Sequence, residues 1–329
     1  MSHPKLPDPS HGHHRMASEG STDMKVLLAG ASGALGRSVT RRLTAAGHEV
    51  AGLGRGATNT LRADLLDADA VLRAVDGLAF DVVVHAATAL KGEAMARHQS
   101  MVPTNALRTQ GTENLLAVAR ATGARRFVVE SMMFGYGYGD HGTGLITEEN
   151  TPFGPRGTNA WLERHVGAMR TKEQLAFTAE GLEAISLRFG FFYGAEVTDN
   201  DVVPLLRKRS LPVVADRGLA FSWVDIDDAA RAVVLATEGG TPGQAYNIAD
   251  RTPLSFGRHL QEVAAAFGAP KPLRVPLWLL RPAPLAHTAM TSQLRLDASK
   301  AERELGWSPT HDDSLAGVRA LASAHPAAV

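Results

Sequence analysis

The stretch Gly30-Ala31-Ser32-Gly33-Ala34-Leu35-Gly36 limits what this chain can fold into more than any other. It follows the apolar run Val26-Leu27-Leu28-Ala29 and precedes an amphipathic stretch with Leu35, Val39 and Leu43 four residues apart. That order predicts a strand, a tight turn and a helix. A buried parallel strand feeding a helix in this way aims free backbone N–H groups and the positive end of the helix dipole outward, where an anionic pyrophosphate fits. Gly30 would permit the sharp turn, Gly33 would let a ligand approach the backbone, and Gly36 would let the helix pack closely on the strand. Ser32, Ala34 and Leu35 complete the expected ligand-facing turn, whose spacing is G-x-x-G-x-x-G rather than G-x-G-x-x-G.

The rest of the first half alternates in the same manner. Strands are expected around residues 47–53, 61–64, 81–87 and 126–131, with helices over 67–76 and 105–122 between them. The run DVVVHAA at 81–87 is continuously apolar up to His85, as in a strand buried on both faces. Such alternation means an α/β fold with a doubly wound parallel sheet and right-handed crossovers. Ligands then sit at the carboxyl ends of the strands, where Gly30–Gly36, Arg55, Asp64, His85–Ala87 and Ser131 all fall. A loop at 135–158, a helix at 159–179 and a strand at 182–190 follow. Beyond Tyr193 the pattern is irregular, with helices expected up to Thr237, over 255–267 and over 298–305. The expected division is an N-terminal extension (1–23), a dinucleotide-binding core (24–193, with 222–250 returning to it) and a smaller lobe (194–221 and 251–329).

Composition excludes several alternatives. The 329 residues carry zero formal net charge, so nothing points to nucleic acid or an anionic membrane. No apolar run reaches membrane-spanning length. The absence of cysteine removes disulfides, thiolate catalysis and zinc–thiolate sites, and suits a reducing cytoplasm. Residues 1–23 are rich in His, Pro, Ser and Gly and are expected to be a disordered tail, so His11, His13 and His14 are not taken as a metal site.

Nine segments, in order from about residue 24 to 310, together resemble the extended short-chain dehydrogenase/reductases, the NAD(P)-dependent epimerase/dehydratase group. They are Gly30-x-x-Gly33-x-x-Gly36, Asp64-Leu65, His85-Ala86-Ala87, Thr104-Asn105 with GTENLL at 111–116, FVVES at 127–131, LRFGFFYG at 187–194, VDIDDA at 224–229, YNI at 246–248, and ELGW-x-P at 304–309. The resemblance implies a Rossmann domain with a smaller C-terminal substrate-binding lobe, a dinucleotide in the first lobe, a small-molecule substrate between lobes, and a homodimer. It also implies that Asp64-Leu65 lies beside the adenine and that His85-Ala86-Ala87 passes the ribose and diphosphate. For His85 the alternative is a strand-end side chain packed under the cofactor.

The second strand ends Leu53-Gly54-Arg55 without a carboxylate. An acid there would accept both ribose hydroxyls and repel a 2′-phosphate, whereas Arg55, helped by Arg37, can bind that phosphate. NADP(H) is therefore expected, with NAD(H) as the alternative.

Members of the resembled family use Tyr-x-x-x-Lys on a helix, because the ammonium lowers a phenol pKa that is otherwise near 10. None of the tyrosines (Tyr136, Tyr138, Tyr193, Tyr246) has a lysine four residues on. Aligned through Glu173, the helix places His165 where the tyrosine belongs and Met169 where the lysine belongs. Three readings stay open: His165 as acid/base, Tyr136 approaching from the loop with Lys172 supplying charge, or no proton transfer of the family type. Ser131 would hold the substrate oxygen. The function expected is hydride transfer on a small carbonyl or hydroxyl compound, against a non-catalytic NADP(H)-binding sensor. Arg207–Arg209 reads as a solvated face, Trp223 and Trp307 as packing, and Asp227 and Asp228 as caps of the following helix.

Overall fold

The computed structural model describes residues 23–90, 96–215 and 217–324. The expected N-terminal extension, with its histidines, lies outside the described residues apart from Asp23. The first half runs β1 (Lys25–Ala29), α1 (Ala34–Ala45), β2 (Glu49–Gly54), β3 (Leu61–Arg62), α2 (Ala68–Ala74), β4 (Val82–His85), α3 (Val102–Ala106), α4 (Thr112–Thr122), β5 (Arg126–Met132), α5 (Ala160–Phe177) and β6 (Glu183–Phe189). There follow β7 (Phe191–Tyr193), α6 (Val203–Arg207), β8 (Val213–Val214), β9 (Ala220–Phe221), β10 (Trp223–Asp225), α7 (Ile226–Glu238), β11 (Ala245–Ile248), β12 (Leu254–Ser255), α8 (Phe256–Ala266), β13 (Arg274–Val275), α9 (Pro284–Met290), α10 (Ser299–Leu305) and α11 (Ser314–Ala324).

The central sheet has seven strands in the order β11-β6-β5-β4-β1-β2-β3, all paired parallel. The chain leaves β1 toward β2 and returns on its other side at β4, so a crevice opens at the carboxyl ends between them. Alternation along β1 explains the two-sided core. Val26 and Leu28 pack with Val39 and Leu43 of α1 and Val233 of α7. Leu27 and Ala29 face Leu115 and Val118 of α4 with Phe127 of β5. Each valine, leucine or phenylalanine among them, removed fully from water, stabilises the fold by about 1.5–3 kcal/mol.

Three local features depart from the sequence pattern. The helix expected over 105–122 is interrupted by a π-helical turn, Leu107–Gly111, between α3 and α4. Helix α7 is capped by Asp225, which accepts from the Asp227 N–H; Asp227 instead holds Arg42 and Ser38, and Asp228 holds Arg231 and Thr310. The segments 139–146 and 293–296 run side by side through bridges Asp140–Gln293 and Ile146–Leu296, which ties the long loop after β5 to the second half. Trp307 packs in the core and donates from Nε1 to the Asp228 carbonyl at 2.9 Å.

At the end of β7, the Tyr193 hydroxyl and both carboxyl oxygens of Asp250 are buried next to each other. Burial raises the Asp250 pKa to about 8, the neighbouring Tyr193 hydroxyl offsetting part of this, with Asp228 and Asp225 adding repulsion. A folded-state pKa above the unfolded value means that folding takes up a proton here between about pH 4 and pH 8. This site's contribution to stability therefore declines as pH rises through that window and levels off above it. Asp250→Asn removes the dependence. Relative to wild type, the variant should gain at least about 1 kcal/mol between pH 5 and pH 9 in urea titrations; an unchanged difference would show that Asp250 does not titrate in this range.

Candidate active site

The glycine turn is built as a cradle. Gly30 has φ +94°, and a Cβ there would lie 2.7 Å from the Ala86 carbonyl oxygen. A Cβ on Gly36 would lie 2.1 Å from the Gly30 carbonyl oxygen, so both positions require glycine for sterics alone. Gly33 differs: a Cβ there would meet only the Gly30 oxygen, at 3.4 Å. Gly33 opens α1 with no side-chain cap, and no acidic residue stands in the first turn. The amides of that turn and the positive helix end are thus left for an anion, and a dinucleotide diphosphate fits this donor set.

Gly30, Ser32, Gly33, Ala34, Leu35, Gly36 and Ala86 line one crevice of about 510 Å3. The remaining cofactor candidates are not among its lining residues. Arg55 is exposed, with Nη1 3.7 Å from Asp64 Oδ2. Asp64 Oδ1 accepts from the Leu66 N–H at 3.1 Å, and Leu65 is buried, its carbonyl accepting from Asn114 Nδ2. His85 and Ala87, on either side of the lining residue Ala86, are buried. His85 Nε2 lies 3.1 Å from the Leu107 carbonyl, to which only an N–H can bond, and its Nδ1 takes the Ala87 N–H. Burial, with Lys172 nearby, holds its pKa well below the ordinary value, so the ring is neutral and locked. Arg37 departs from expectation: its Nε donates to Glu196 Oε2 at 2.6 Å and Nη1 to the Ser32 carbonyl at 2.6 Å. Its guanidinium is held by an exposed ion pair at the edge of the turn.

The four residues expected to do chemistry do not meet in this crevice. Strand alternation puts Glu130 and Met132 on its wall, whereas Ser131 between them is buried with Oγ unpartnered and is absent from the lining. Tyr136 is buried at the end of a 3-10 turn, Met133–Tyr136. Its hydroxyl donates to Asn247 Oδ1 at 2.8 Å and accepts from Arg188 at 2.9 Å, and burial raises its pKa to about 12. His165 is buried on α5 facing α3, not the crevice. Asn105 Nδ2 donates to its Nδ1 at 2.9 Å, and its Nε2 lies 3.0 Å from His98 Nδ1; burial first, then His98, lowers its pKa to about 4. Lys172 is buried behind the wall, donating to Glu130 Oε2 at 3.2 Å and the His85 carbonyl at 3.3 Å. Burial lowers its pKa while Glu130 opposes the shift.

The polar groups that do line the crevice beyond the cradle are Thr88, Arg108, Glu130 and Tyr138, set among Leu90, Met101, Met132, Phe134, Met169, Phe191, Phe192 and Leu285. Tyr138 stacks on Phe134 with ring centroids 4.8 Å apart. Burial raises its pKa to about 12, and the charge of Arg108 pulls against that rise. The arrangement offers an anion cradle, then a mostly apolar chamber with one phenol, one guanidinium, one hydroxyl and the paired carboxylate of Glu130. Of these, Glu130 and Met132 could have been found by counting alternate residues from Val128. Arg108 gave no signal, because the π-helical turn shifts it out of the helical repeat.

The model of the NAD dependent epimerase/dehydratase family matches residues 26–249. A 3-diazoavenalumate denitrifying reductase from Streptomyces sp. is 32% identical over 88% of this chain and 97% of its own. A 2-alkyl-3-oxoalkanoate reductase from Stenotrophomonas maltophilia is 30% identical over 75% of this chain and 77% of its own. Among solved structures, the UDP-glucose 4-epimerase of Thermus thermophilus in complex with NAD superposes with a TM-score of 0.73 and 26% identity, over 93% of this chain and all of that one. These matches agree with the sheet order, the cradle and the crevice at the switch point. The chain belongs to the NAD dependent epimerase/dehydratase family, as an enzyme of oxidoreductase or epimerase type.

Proposed function

We propose that this enzyme is an NADP(H)-dependent reductase of small, largely apolar carbonyl compounds. The observation that carries the reading is the continuity of one crevice from the Gly30–Gly36 cradle into a chamber walled by methionine, phenylalanine and leucine side chains, with Tyr138 among its lining residues. Such a chamber suits an apolar substrate better than a polyhydroxylated one. Two of the relatives above are named as reductases, which favours the same direction. The dinucleotide, when bound, supplies the hydride. The backbone N–H groups of Ala34 and Leu35, left free at the start of α1, hold its diphosphate, Asp64 and Leu65 flank the adenine, and Asn105 supports the chamber from α3. Tyr138 gives its Oη proton to the substrate oxygen as that oxygen becomes negative. Homodimer formation and a cytoplasmic location join the proposal on the family resemblance and the cysteine-free composition alone; no described helix is long and apolar enough to cross a membrane.

The test is NADPH oxidation across a panel of apolar ketones and aldehydes, with binding followed separately by fluorescence. Tight NADPH binding without substrate-dependent oxidation on the whole panel would overturn the reductase reading.

Cofactor choice rests chiefly on Arg55, which follows directly on β2, where an acid would select NAD(H). Losing a charge-assisted hydrogen bond costs about 1.5–3 kcal/mol, or roughly tenfold and more in affinity. Arg55→Asp should therefore weaken NADPH at least tenfold and NADH by less than about threefold. Equal weakening of both would remove the 2′-phosphate assignment.

A further inference from the structure

Arg108 is 3% exposed, yet its guanidinium has no carboxylate within ion-pair distance among the described residues. The other buried ionic groups around the crevice are matched. Lys172 and Glu130 pair at 3.2 Å, so Glu130, although it lines the same wall, already has its counter-charge. The hydrogen bond that reaches the Arg108 side chain is a long one, from Nη1 to Asn105 Oδ1 at 3.5 Å. A guanidinium has five N–H donors in a rigid fork and stays charged in any protein setting. Burial works against that charge, with Glu130 and Tyr138 the groups that ease it.

The surroundings hold the group in place and turn it toward the crevice. The π-helical turn Leu107–Gly111 presents Arg108 to the lining, and the Thr112 hydroxyl ties back to the Arg108 carbonyl at 2.8 Å. Asn105, which receives the guanidinium, is fixed by His165, and His165 by His98, which stacks on Trp161 at 5.6 Å between centroids. His165 is in this sense a positioning residue that acts through Asn105. A buried cation with unused donors, facing a chamber whose one carboxylate, Glu130, is already paired and whose walls are mostly apolar, is a receptor for one anionic group.

We propose that Arg108 is the anchor for a carboxylate on the substrate, so that this enzyme acts on small apolar acids whose reducible carbon lies near the acid group. The proposal rests on the reductase reading and narrows it. The acid sits on the Arg108 fork with the Tyr138 hydroxyl beside it, and the hydrocarbon body fills the space among Met132, Phe134 and Met169. The acid and the reacting oxygen share one corner of the chamber, which is why a short spacing between them is required.

The experiment is calorimetric titration of the full chain, saturated with NADP+, with 4-phenylbutanoate and with 4-phenylbutanamide. The acid should bind at least about tenfold more tightly than the amide. Arg108→Met should abolish that difference while NADPH affinity, read by fluorescence, changes less than about threefold, and Arg108→Lys should keep part of the preference. Equal binding of acid and amide by wild type would overturn the proposal. So would an Arg108→Met variant that loses NADPH as strongly as the acid, since that places Arg108 on the cofactor's diphosphate. If Arg108→Met does not fold, the wild-type pair and Arg108→Lys still decide the matter. Because binding is read without turnover, an inactive but acid-selective protein would sink the reductase reading and leave the anchor standing.

Discussion

Tyr138→Phe is expected to lower turnover by a factor of about 10²–10⁴, the range for loss of a positioned general acid, with NADPH affinity close to wild type. The phenol pKa of about 12 decides which half of the chemistry Tyr138 serves. It remains protonated throughout the physiological range, so it can always donate to an oxygen that is becoming an alkoxide. It is correspondingly a poor base. Reduction should therefore run with no acid limb or basic limb from this group between pH 6 and 10, and alcohol oxidation at neutral pH should be much slower. Phenylalanine preserves the stack on Phe134, so stability should hardly change and the effect should fall on kcat rather than KM. A variant that turns over within threefold of wild type would remove Tyr138 from the mechanism and return attention to solvent as the proton source.

The parts of this fold that could be read from the sequence are those governed by repeating patterns. Alternating strand and helix, continuous apolar runs at Val82–His85 and Phe127–Val129, and the glycine turn each reflect burial that acts on many residues together. The site was harder because single side chains decide it. Ser131 looks like the chemically apt residue at a strand end, yet Val128 already places the even-numbered positions of β5 toward the crevice, and a one-residue offset reverses which face is served. Tyr136 and Tyr138 stand two apart in GYGYG; Tyr136 is turned inward by partners 52 and 111 residues away, Arg188 and Asn247, and no local pattern carries that information. His165 holds the tyrosine place in the alignment but faces α3, where Asn105 takes its free nitrogen. The cation near the phenol comes from another element altogether, a π-helical turn whose extra residue breaks the 3.6-residue repeat.

The buried pair that holds Tyr136 also sets the second large effect. Glu173 on α5 receives Arg188 of β6 in a fork, Nε to Oε1 at 3.0 Å and Nη2 to Oε2 at 2.7 Å, and also accepts from the Ser186 hydroxyl at 2.7 Å. Arg188 then passes to the Tyr136 hydroxyl and lies 3.9 Å above the Phe153 ring. Both ions are at least nine-tenths buried. Removing one leaves the other uncompensated in a low-dielectric interior, at a cost of about 3–5 kcal/mol. Glu173→Gln, which keeps the shape, should therefore lower the unfolding free energy by that amount in a urea titration. The same desolvation argument predicts that the double replacement Glu173→Leu with Arg188→Met recovers most of the loss, because neither charge then needs hydration. If the double variant is as unstable as the sum of the singles, the two residues act independently and the uncompensated-charge account fails. Each residue would then matter through its own neighbours, Arg188 through the Tyr136 hydroxyl and the Phe153 ring and Glu173 through the Ser186 hydroxyl, and Arg188→Met alone should lower turnover by loosening the turn that ends at Tyr136.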